Sequence, residues 1–304
     1  MSGLRALYEL PAPAKLNLFL HVVGRRADGL HLLQSAFVLI DWADTLHLER
    51  RRDGRLQRHD LEAALPADDL CLRAARALQQ AAGCTLGADL WLAKRLPTGA
   101  GLGGGSSDAA TTLLGLNRLW DLRWSRTRLL ALAATLGADV PFFVGGHNAF
   151  VEGIGERLTP IALPPATYAV VKPPAALATA RIFASASLVR DTPAVILAGF
   201  LAGTDRPASN AVSTAAIAAG FGRNDLQPVA EAACTEVSAA LHWLQARFGN
   251  SRMTGSGSAV FARVGPDEAV LPSVLAGLPA GWTGRLSRSL DRHPLADWAE
   301  GPSG

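Results

Sequence analysis

A run of glycines between residues 99 and 107 has the composition of a ligand-binding loop. The segment LPTGAGLGGGSSDAA, from Leu96 to Ala110, places five glycines in nine positions. Glycine loses more conformational entropy on folding than any other residue, and an ordinary turn needs only one or two. A glycine loop that leads from a strand into a helix exposes backbone N–H groups and the positive end of the helix dipole. The composition therefore predicts that this loop binds an anion such as phosphate.

Three known phosphate-binding patterns can be compared with this loop. A Walker loop requires Lys and then Ser or Thr after its last glycine, whereas the last glycine here is followed by two serines. Gly99, Gly101 and Gly104 fit G-x-G-x-x-G, but the acidic residue about 20 positions on, Asp121, follows a predicted helix instead of a strand. The V-A-I-K, H-R-D and D-F-G segments of protein kinases do not occur in the sequence. The loop is thus expected to bind phosphate in a different way.

Two further segments place polar side chains beside apolar runs. In AKLNLFLHV, the alternation of a strand puts Lys15 and Asn17 on one face and leucines on the other. That face is either exposed to solvent or part of a site. In LGADVPFFVGG, Asp139 lies between a helix end and an apolar run, where it is either a turn residue before Pro141 or a functional carboxylate. A second glycine segment, MTGSGSAVF, is either a tight turn or part of the same site.

The elements that must position these residues follow from the hydrophobic pattern. ADLWLAKRL alternates as a strand does, and SSDAATTLLGLNRLW has the apolar face of a helix with Ser106 and Ser107 as candidate N-caps. Another helix is predicted to begin at Asp68 or Asp69, a long one from about Leu226 to Arg247, and a later one over DEAVLPSVLAG. Strands and helices in this order predict an α+β fold with an antiparallel sheet.

Composition limits the partners and the location. The 304 residues are 49% hydrophobic and 18% charged, enough for a sizeable core. The net charge is +3 with scattered basic residues, so we expect no nucleic-acid partner. No apolar run approaches the ~18 residues of a membrane span. Three cysteines without metal or redox spacing, and a first segment without an apolar signal sequence, predict a cytoplasmic protein. We expect a monomer or a homodimer.

Five segments, in order along the chain, resemble the motifs of the GHMP small-molecule kinases. They are PAPAKLNLFLHVVGRRADGLHLLQSAF, LPTGAGLGGGSSDAATTL, LGADVPFFVGG, NDLQPVA and RMTGSGSAVFA, and the resemblance extends from about Leu10 to Arg263. It implies a two-lobed α+β fold in which each lobe is a mainly antiparallel sheet packed with helices. The N-terminal ATP-binding domain is expected over residues 1–163 and the C-terminal domain over residues 164–304, with the active site between them.

The resemblance also implies a reaction. This is the ATP-dependent phosphorylation of the 2-hydroxyl of a cytidine diphosphate-linked methylerythritol, with Mg²⁺, in non-mevalonate isoprenoid precursor biosynthesis. Asp139 matches the base that takes the hydroxyl proton, and Lys15 matches the lysine that orients and polarises this pair. The backbone around the ATP phosphates would come from Pro97, Thr98, Gly99, Ala100, Gly101, Leu102, Gly103, Gly104, Gly105, Ser106 and Ser107. A branched side chain at Gly103 is expected to intrude on the phosphates. The two serines are the expected hydroxyl contacts, since no protein carboxylate is identified as a metal ligand.

The substrate contacts are carried over in the same way. Asn17 matches a position that lines the substrate, and His31 matches a residue that touches the cytidine. Thr179 and Phe183 match a segment that closes over the base. Leu30 departs from the family, which usually has a tyrosine there that stacks on cytosine.

Other functions stay open at this point. The nearest alternative is another GHMP kinase that acts on mevalonate, homoserine or a sugar, although ADGLHLLQ favours the cytidine compound. A non-catalytic nucleotide-binding sensor is disfavoured because both Lys15 and Asp139 are present. NAD binding has the weakest support.

Overall fold

Two long strands carry most of the predicted site residues. The computed structural model describes residues 4–62, 64–198, 210–265 and 274–299. In it, β1 (Ala6–Arg25) and β2 (His31–Arg51) pair antiparallel, with Lys15 opposite Leu39 and Asn17 opposite Phe37. Residues 10 and 12–22 of β1 are buried without a gap after Pro11, so both faces of this strand are covered.

The hairpin belongs to a ten-stranded sheet in the described part of the chain. The other strands are β3 (Leu56–Asp60), β4 (Gly87–Ala93), β5 (Ala149–Glu152), β6 (Arg157–Pro160), β7 (Thr167–Lys172), β8 (Ile196–Leu197), β9 (Ala211–Val212), β10 (Arg252–Met253), β11 (Val260–Val264) and β12 (Thr283–Leu290). The order along the main path of the sheet is β10-β11-β7-β12-β2-β4-β3, with β1 and β5 also paired to β2, and β6 paired to β5. All of these pairs in the sheet are antiparallel except β3 with β4.

Helices pack on this sheet, which confirms the predicted α+β class. They are α1 (Leu70–Ala82), α2 (Gly104–Leu119), α3 (Arg126–Ala133), α4 (Val140–Gly145), α5 (Thr179–Ala184), α6 (Thr214–Ala218), α7 (Gln227–Ala233) and α8 (Thr235–Phe248), followed by a 3₁₀ turn at Ala296–Trp298. None of the helices within the described ranges has the length and apolarity needed to cross a membrane.

Among the described residues, three hydrophobic clusters form the core. One lies under α1 to α4, and one lies under α7 and α8. The cluster between them joins Leu16 and Val38 of the hairpin to Tyr168 and Val170 of β7. The two halves of the chain therefore share buried surface, and the domain boundary between residues 163 and 164 stays a prediction.

One predicted helix differs from the structure, and another lies mostly outside the described residues. The helix expected from about Leu226 to Arg247 is interrupted at Cys234, whose backbone is extended (φ −154°, ψ 107°). Cysteine and the threonine after it are weak helix formers, which makes this a low-cost place for a break. Most of the helix expected over DEAVLPSVLAG lies outside the described residues.

Candidate active site

One cavity of about 750 Å³ brings most of the predicted site residues together. Its lining includes both candidate catalytic residues, alternate glycines of the loop, and the residues carried over as substrate contacts. These are Lys15, Asn17, His31, Gly99, Gly101, Gly103, Ser106, Asp139, Thr179 and Phe183. A second cavity, of about 830 Å³, is lined by none of them. The chemistry expected from the sequence therefore belongs to the first cavity.

Lys15 is a buried cation at the floor of this cavity. Its residue is 3% exposed, so the polar face of β1 lines a site and is not a solvent-exposed face. Nζ donates to Asn17 Oδ1 at 2.6 Å and lies 3.6 Å from Asp139 Oδ2. Nζ also lies 4.7 Å from the ring centroid of Phe37, within cation–π range. Burial lowers the pKa of Lys15, and the negative charge of Asp139 opposes that shift.

Asn17 fixes the direction of the Lys15 ammonium. Its Nδ2 donates to Ser35 Oγ at 3.0 Å, so its Oδ1 is turned toward the ammonium. Its backbone N–H donates to Thr254 Oγ1 at 3.0 Å, and the Thr254 hydroxyl lies 3.3 Å from Asn17 Oδ1. The amide is thus held by β2 on one side and by the second glycine segment on the other.

The second glycine segment is part of the site. Gly255, Ser256 and Gly257 line the cavity. The carbonyls of Met253 and Gly255 both accept hydrogen bonds from Asn224 Nδ2, at 2.8 Å each. This contact gives the NDLQPVA motif, which begins at Asn224, a role in holding the segment in place.

Asp139 lies at the start of α4, and its carboxylate is not used to cap that helix. It occupies the N-cap position but makes no side-chain capping bond. Its side chain is 32% exposed and lines the cavity beside Lys15. A carboxylate that faces both a buried ammonium and a ligand-sized cavity has the placement of a general base.

The glycine loop connects β4 to α2 and is anchored at its middle. Ala100 and Leu102 are buried, and the Leu102 carbonyl accepts a 3.0 Å hydrogen bond from the Lys15 backbone N–H. The anchors let alternate glycines face the cavity, while Pro97 and Thr98 lie outside its lining. The loop therefore delivers backbone groups, and no lysine side chain of its own, toward the Lys15–Asp139 pair.

The start of α2 differs from the prediction. The helix begins at Gly104 with Gly103 as its N-cap, so Ser106 and Ser107 lie inside the first turn and do not cap it. Gly103 has φ +73°, a left-handed conformation that serine rarely adopts. Ser106 faces the cavity, but Ser107 is fully buried and its hydroxyl has no hydrogen-bond partner in the described part of the chain.

A side chain at Gly103 would approach neighbouring protein atoms too closely. A Cβ built there would lie 2.9 Å from Phe143 Cζ and 3.2 Å from Lys15 Cγ. The expectation that a branched side chain would intrude on the phosphates stays a prediction, and the structure adds a conflict with the protein itself. The absence of a side chain at Gly103 lets the loop pack against Lys15.

The far end of the cavity holds the aromatic pair expected at a base. The rings of His31 and Phe183 are 5.0 Å apart between centroids and inclined at 34°. The hydroxyl of Thr179 is hydrogen-bonded to that of Ser256 at 2.7 Å, which joins α5 to the second glycine segment. Leu30 also lines the cavity and is 47% exposed, so the position where the family has an aromatic residue is open to a ligand.

Arg190 makes several hydrogen bonds at this end of the cavity, and it was not identified from the sequence. Its Nε donates to His31 Nε2 at 3.0 Å, and its other nitrogens donate to the carbonyls of Phe183, Ser185 and Leu188. A guanidinium cannot accept a hydrogen bond, so His31 Nε2 carries the lone pair and Nδ1 carries the proton. Burial, and then the charges of Arg190 and Arg25, lower the pKa of His31.

Asp69 has a structural role at the start of α1. Asp69 caps α1, where its carboxylate accepts from the Leu72 N–H at 3.1 Å, and it pairs with Arg58 at 2.7 Å. The carboxylate is thus used to start the helix. The predicted alternative of Asp69 as the first cap is confirmed over Asp68.

Comparison with known proteins identifies the family. The family pattern described as "GHMP kinases N terminal domain" matches residues 69–147, and "GHMP kinases C terminal" matches residues 207–281. A protein of Methylibium petroleiphilum named 4-diphosphocytidyl-2-C-methyl-D-erythritol kinase is 63% identical over 98% of this chain and 99% of its own. The chain belongs to the GHMP kinase family.

Two further comparisons show how similar this chain is to known kinases in sequence and in structure. A protein of Variovorax paradoxus with the same name is 54% identical over 97% of this chain and 100% of its own. A crystal structure described as 4-(cytidine 5'-diphospho)-2C-methyl-D-erythritol kinase superposes with a TM-score of 0.75 at 34% identity, covering 92% of this chain and 98% of that one. The resemblance read from the five motifs, the fold and the small-molecule kinase class are confirmed.

Proposed function

We propose that this GHMP kinase transfers the γ-phosphoryl group of ATP to the 2-hydroxyl of 4-diphosphocytidyl-2-C-methyl-D-erythritol. The products are the 2-phosphate and ADP, in non-mevalonate isoprenoid precursor biosynthesis. The observation that carries the proposal is the single cavity in which the Lys15–Asn17–Asp139 group lies between the glycine loop and the His31–Phe183 pair. The names of the relatives support the same substrate.

The geometry suits phosphoryl transfer by positioning and charge. Asp139 accepts the proton of the 2-hydroxyl while that oxygen forms its bond to the γ-phosphorus. The bond between the γ-phosphorus and the bridging oxygen breaks, and ADP leaves with the electron pair. Lys15, held by Asn17 at 2.6 Å, orients the Asp139 carboxylate and offers positive charge to the oxygens that become more negative.

The glycine loop supplies the phosphate contacts in place of a Walker lysine. Backbone N–H groups of the loop and the N-terminal end of the 16-residue helix α2 face anions favourably. We propose that residues 97–105 and Ser106 surround the ATP phosphates, while Ser107 acts by packing because it is buried. Mg²⁺ keeps several waters and takes other oxygens from phosphates, so the Ser106 hydroxyl is a sufficient protein contact. When bound, the ion would neutralise phosphate charge.

The cytidine end of the substrate is proposed to contact His31, Phe183 and Thr179. The Phe183 ring offers a stacking face, and the His31 Nδ1–H offers a donor to a pyrimidine acceptor. Leu30 offers apolar contact only. This arrangement favours a base-bearing substrate over mevalonate, homoserine or a sugar, none of which would use the pair.

Location and assembly stay predictions. We propose a cytoplasmic enzyme, and the three cysteines are free as a reducing compartment would leave them. We propose a monomer or a homodimer, which light scattering of the purified enzyme would distinguish.

The proposal is tested by ADP release across a panel of alcohols. Purified enzyme with Mg²⁺ and ATP is offered the cytidyl compound, mevalonate, homoserine or galactose in turn. We expect kcat/KM for the cytidyl compound to exceed the others by at least about 10³-fold. Turnover of another alcohol in its place would support a different GHMP kinase, and nucleotide binding without turnover would support a sensor.

A further inference from the structure

A buried group of three charges lies beneath the glycine loop, outside the cavity. Lys94, at the end of β4, donates from Nζ to Asp108 Oδ2 at 2.6 Å and also to Asp44 Oδ2. The side chains of Lys94, Asp44 and Asp108 are 10%, 0% and 3% exposed. None of the three lines the cavity, so any effect on a ligand there would act through the loop.

The three residues stand at the two ends of the loop. Asp44 Oδ1 accepts from the backbone N–H groups of Arg95 and Leu96, at 2.6 and 2.7 Å, and so fixes the chain just before the loop. Asp108 lies in the first turns of α2, just after the loop. The Lys94 ammonium therefore joins the entry of the loop to its exit.

The loop itself is shaped to admit this ammonium. A Cβ built at Gly104, the first residue of α2, would lie 3.1 Å from Lys94 Nζ and 3.3 Å from Leu96 Cδ1. These distances are closer than ordinary contacts. The close approach explains the glycine at 104 by a contact inside the protein, on the side away from the cavity.

The burial of Lys94, Asp44 and Asp108 depends on how their charges compensate one another. Two carboxylates share one ammonium, so the group would carry a net negative charge if all three were ionised. Burial raises the pKa of Asp108 well above its usual range; the Lys94 charge opposes this and the Asp44 charge adds to it. Asp108 Oδ1 has no hydrogen-bond partner in the described ranges. Burial therefore favours the neutral form of the Asp108 carboxyl, which reduces the net negative charge of the buried group.

We propose that Lys94 is a positioning residue for phosphoryl transfer, which ties the two ends of the glycine loop together through Asp44 and Asp108. The tie holds the loop backbone in the conformation that receives the ATP phosphates. The inference rests on the proposed function in one respect, that the loop binds the nucleotide. It does not depend on which alcohol is phosphorylated.

The test compares two substitutions at one residue. Asp108→Asn keeps an oxygen that accepts from Lys94, whereas Asp108→Ala removes it and leaves the Asp44–Lys94 pair intact. Binding of Mg²⁺ with a non-hydrolysable ATP analogue is measured by calorimetry without any acceptor alcohol. We expect Asp108→Ala to weaken binding at least about 10-fold and Asp108→Asn to weaken it less than about 3-fold. In the steady state, KM for ATP should rise while KM for the acceptor stays within about twofold.

Two more variants separate positioning from stability. Leu129→Ala removes fully buried packing in α3, away from the cavity lining, so it should lower Tm without changing nucleotide affinity. Lys94→Met should weaken nucleotide binding at least as much as Asp108→Ala. Equal affinities for Asp108→Ala and Asp108→Asn would overturn the proposal, as would a loss of affinity in Leu129→Ala that matches its loss of Tm. Failure of the proposed alcohol substrate would leave these binding results unchanged.

Discussion

A side chain at Gly103 should damage both stability and catalysis, and Gly99 provides a matched control. Both glycines lie in the same loop and have left-handed backbones, φ +73° and φ +61°. Alanine in that conformation costs about 1–2 kcal/mol. The difference lies in the surroundings, because a Cβ at Gly99 meets nothing within 4 Å, whereas one at Gly103 approaches Phe143 to 2.9 Å and Lys15 to 3.2 Å.

The magnitudes follow from these distances. Overpacking of a tight site costs about 1–3 kcal/mol, so Gly103→Ala should lose that much more stability than Gly99→Ala. At about 2–4 °C for each kcal/mol, its Tm should be roughly 2–12 °C lower. Since a misplacement of about 1 Å can cost 10²-fold in rate, displacement of Lys15 should reduce kcat by about 10–100-fold. Gly99→Ala should not displace Lys15, and because Gly99 lines the cavity its kinetic effect should be a higher KM for ATP, with kcat at saturating ATP reduced less than in Gly103→Ala.

Differential scanning fluorimetry gives the two Tm values, and coupled ADP release at saturating substrates gives kcat. If the two alanine variants melt together and Gly103→Ala keeps the kcat of the parent, the contact between the loop and Lys15 has no catalytic importance. A loss of kcat at saturating ATP in Gly99→Ala alone would also contradict this prediction, because the contact between the loop and Lys15 would then not set the rate.

Three further predictions concern single side chains. Asp139→Asn should lower kcat by about 10²–10⁴-fold, the usual worth of a general base, with nucleotide affinity by calorimetry almost unchanged; near-normal kcat would exclude Asp139 as the base. Phe183→Ala should raise KM for the cytidyl substrate roughly 5- to 150-fold, since base stacking contributes about 1–3 kcal/mol, and an unchanged KM would show that the ring only packs. Arg190→Met removes a charge that lowers the pKa of His31, so the rise of KM at acid pH should begin at a higher pH than in the parent. The variant also loses the hydrogen bonds to the carbonyls around Phe183, so its KM should exceed that of the parent even near pH 8; superimposable KM–pH profiles would refute the role of Arg190.

The glycine loop and its neighbours were predictable because their signals are local. A glycine-rich segment between a strand pattern and a helix pattern gave the loop, and the alternation in β1 placed Lys15 and Asn17 on one face. The same pattern could not decide between solvent and a site. The structure shows that this face is part of a site, because the Asn17 N–H donates to Thr254, a residue 237 positions away.

The residues that sequence reasoning missed are the ones whose partners are distant. Arg190 meets His31 across 159 positions, and Lys94 meets Asp44 across 50. No periodicity reports such pairs, since the fold alone brings them together. The capping prediction failed for a related reason: Ser106 and Ser107 have the right chemistry for an N-cap, but the tie from Lys94 to Asp108 and the left-handed Gly103 start the helix earlier.

The most direct test of the proposed function is ³¹P NMR of the reaction product. Purified enzyme is incubated with Mg²⁺, ATP and 4-diphosphocytidyl-2-C-methyl-D-erythritol, with the Asp139→Asn variant in parallel. The proposed function predicts one new phosphomonoester signal that grows in step with ADP, with coupling of that phosphorus consistent with the 2-oxygen and with the cytidyl diphosphate intact. The Asp139→Asn variant should form this phosphomonoester at least about 100-fold more slowly. ADP with inorganic phosphate and no phosphomonoester, or a phosphomonoester at another hydroxyl, would contradict the proposed function.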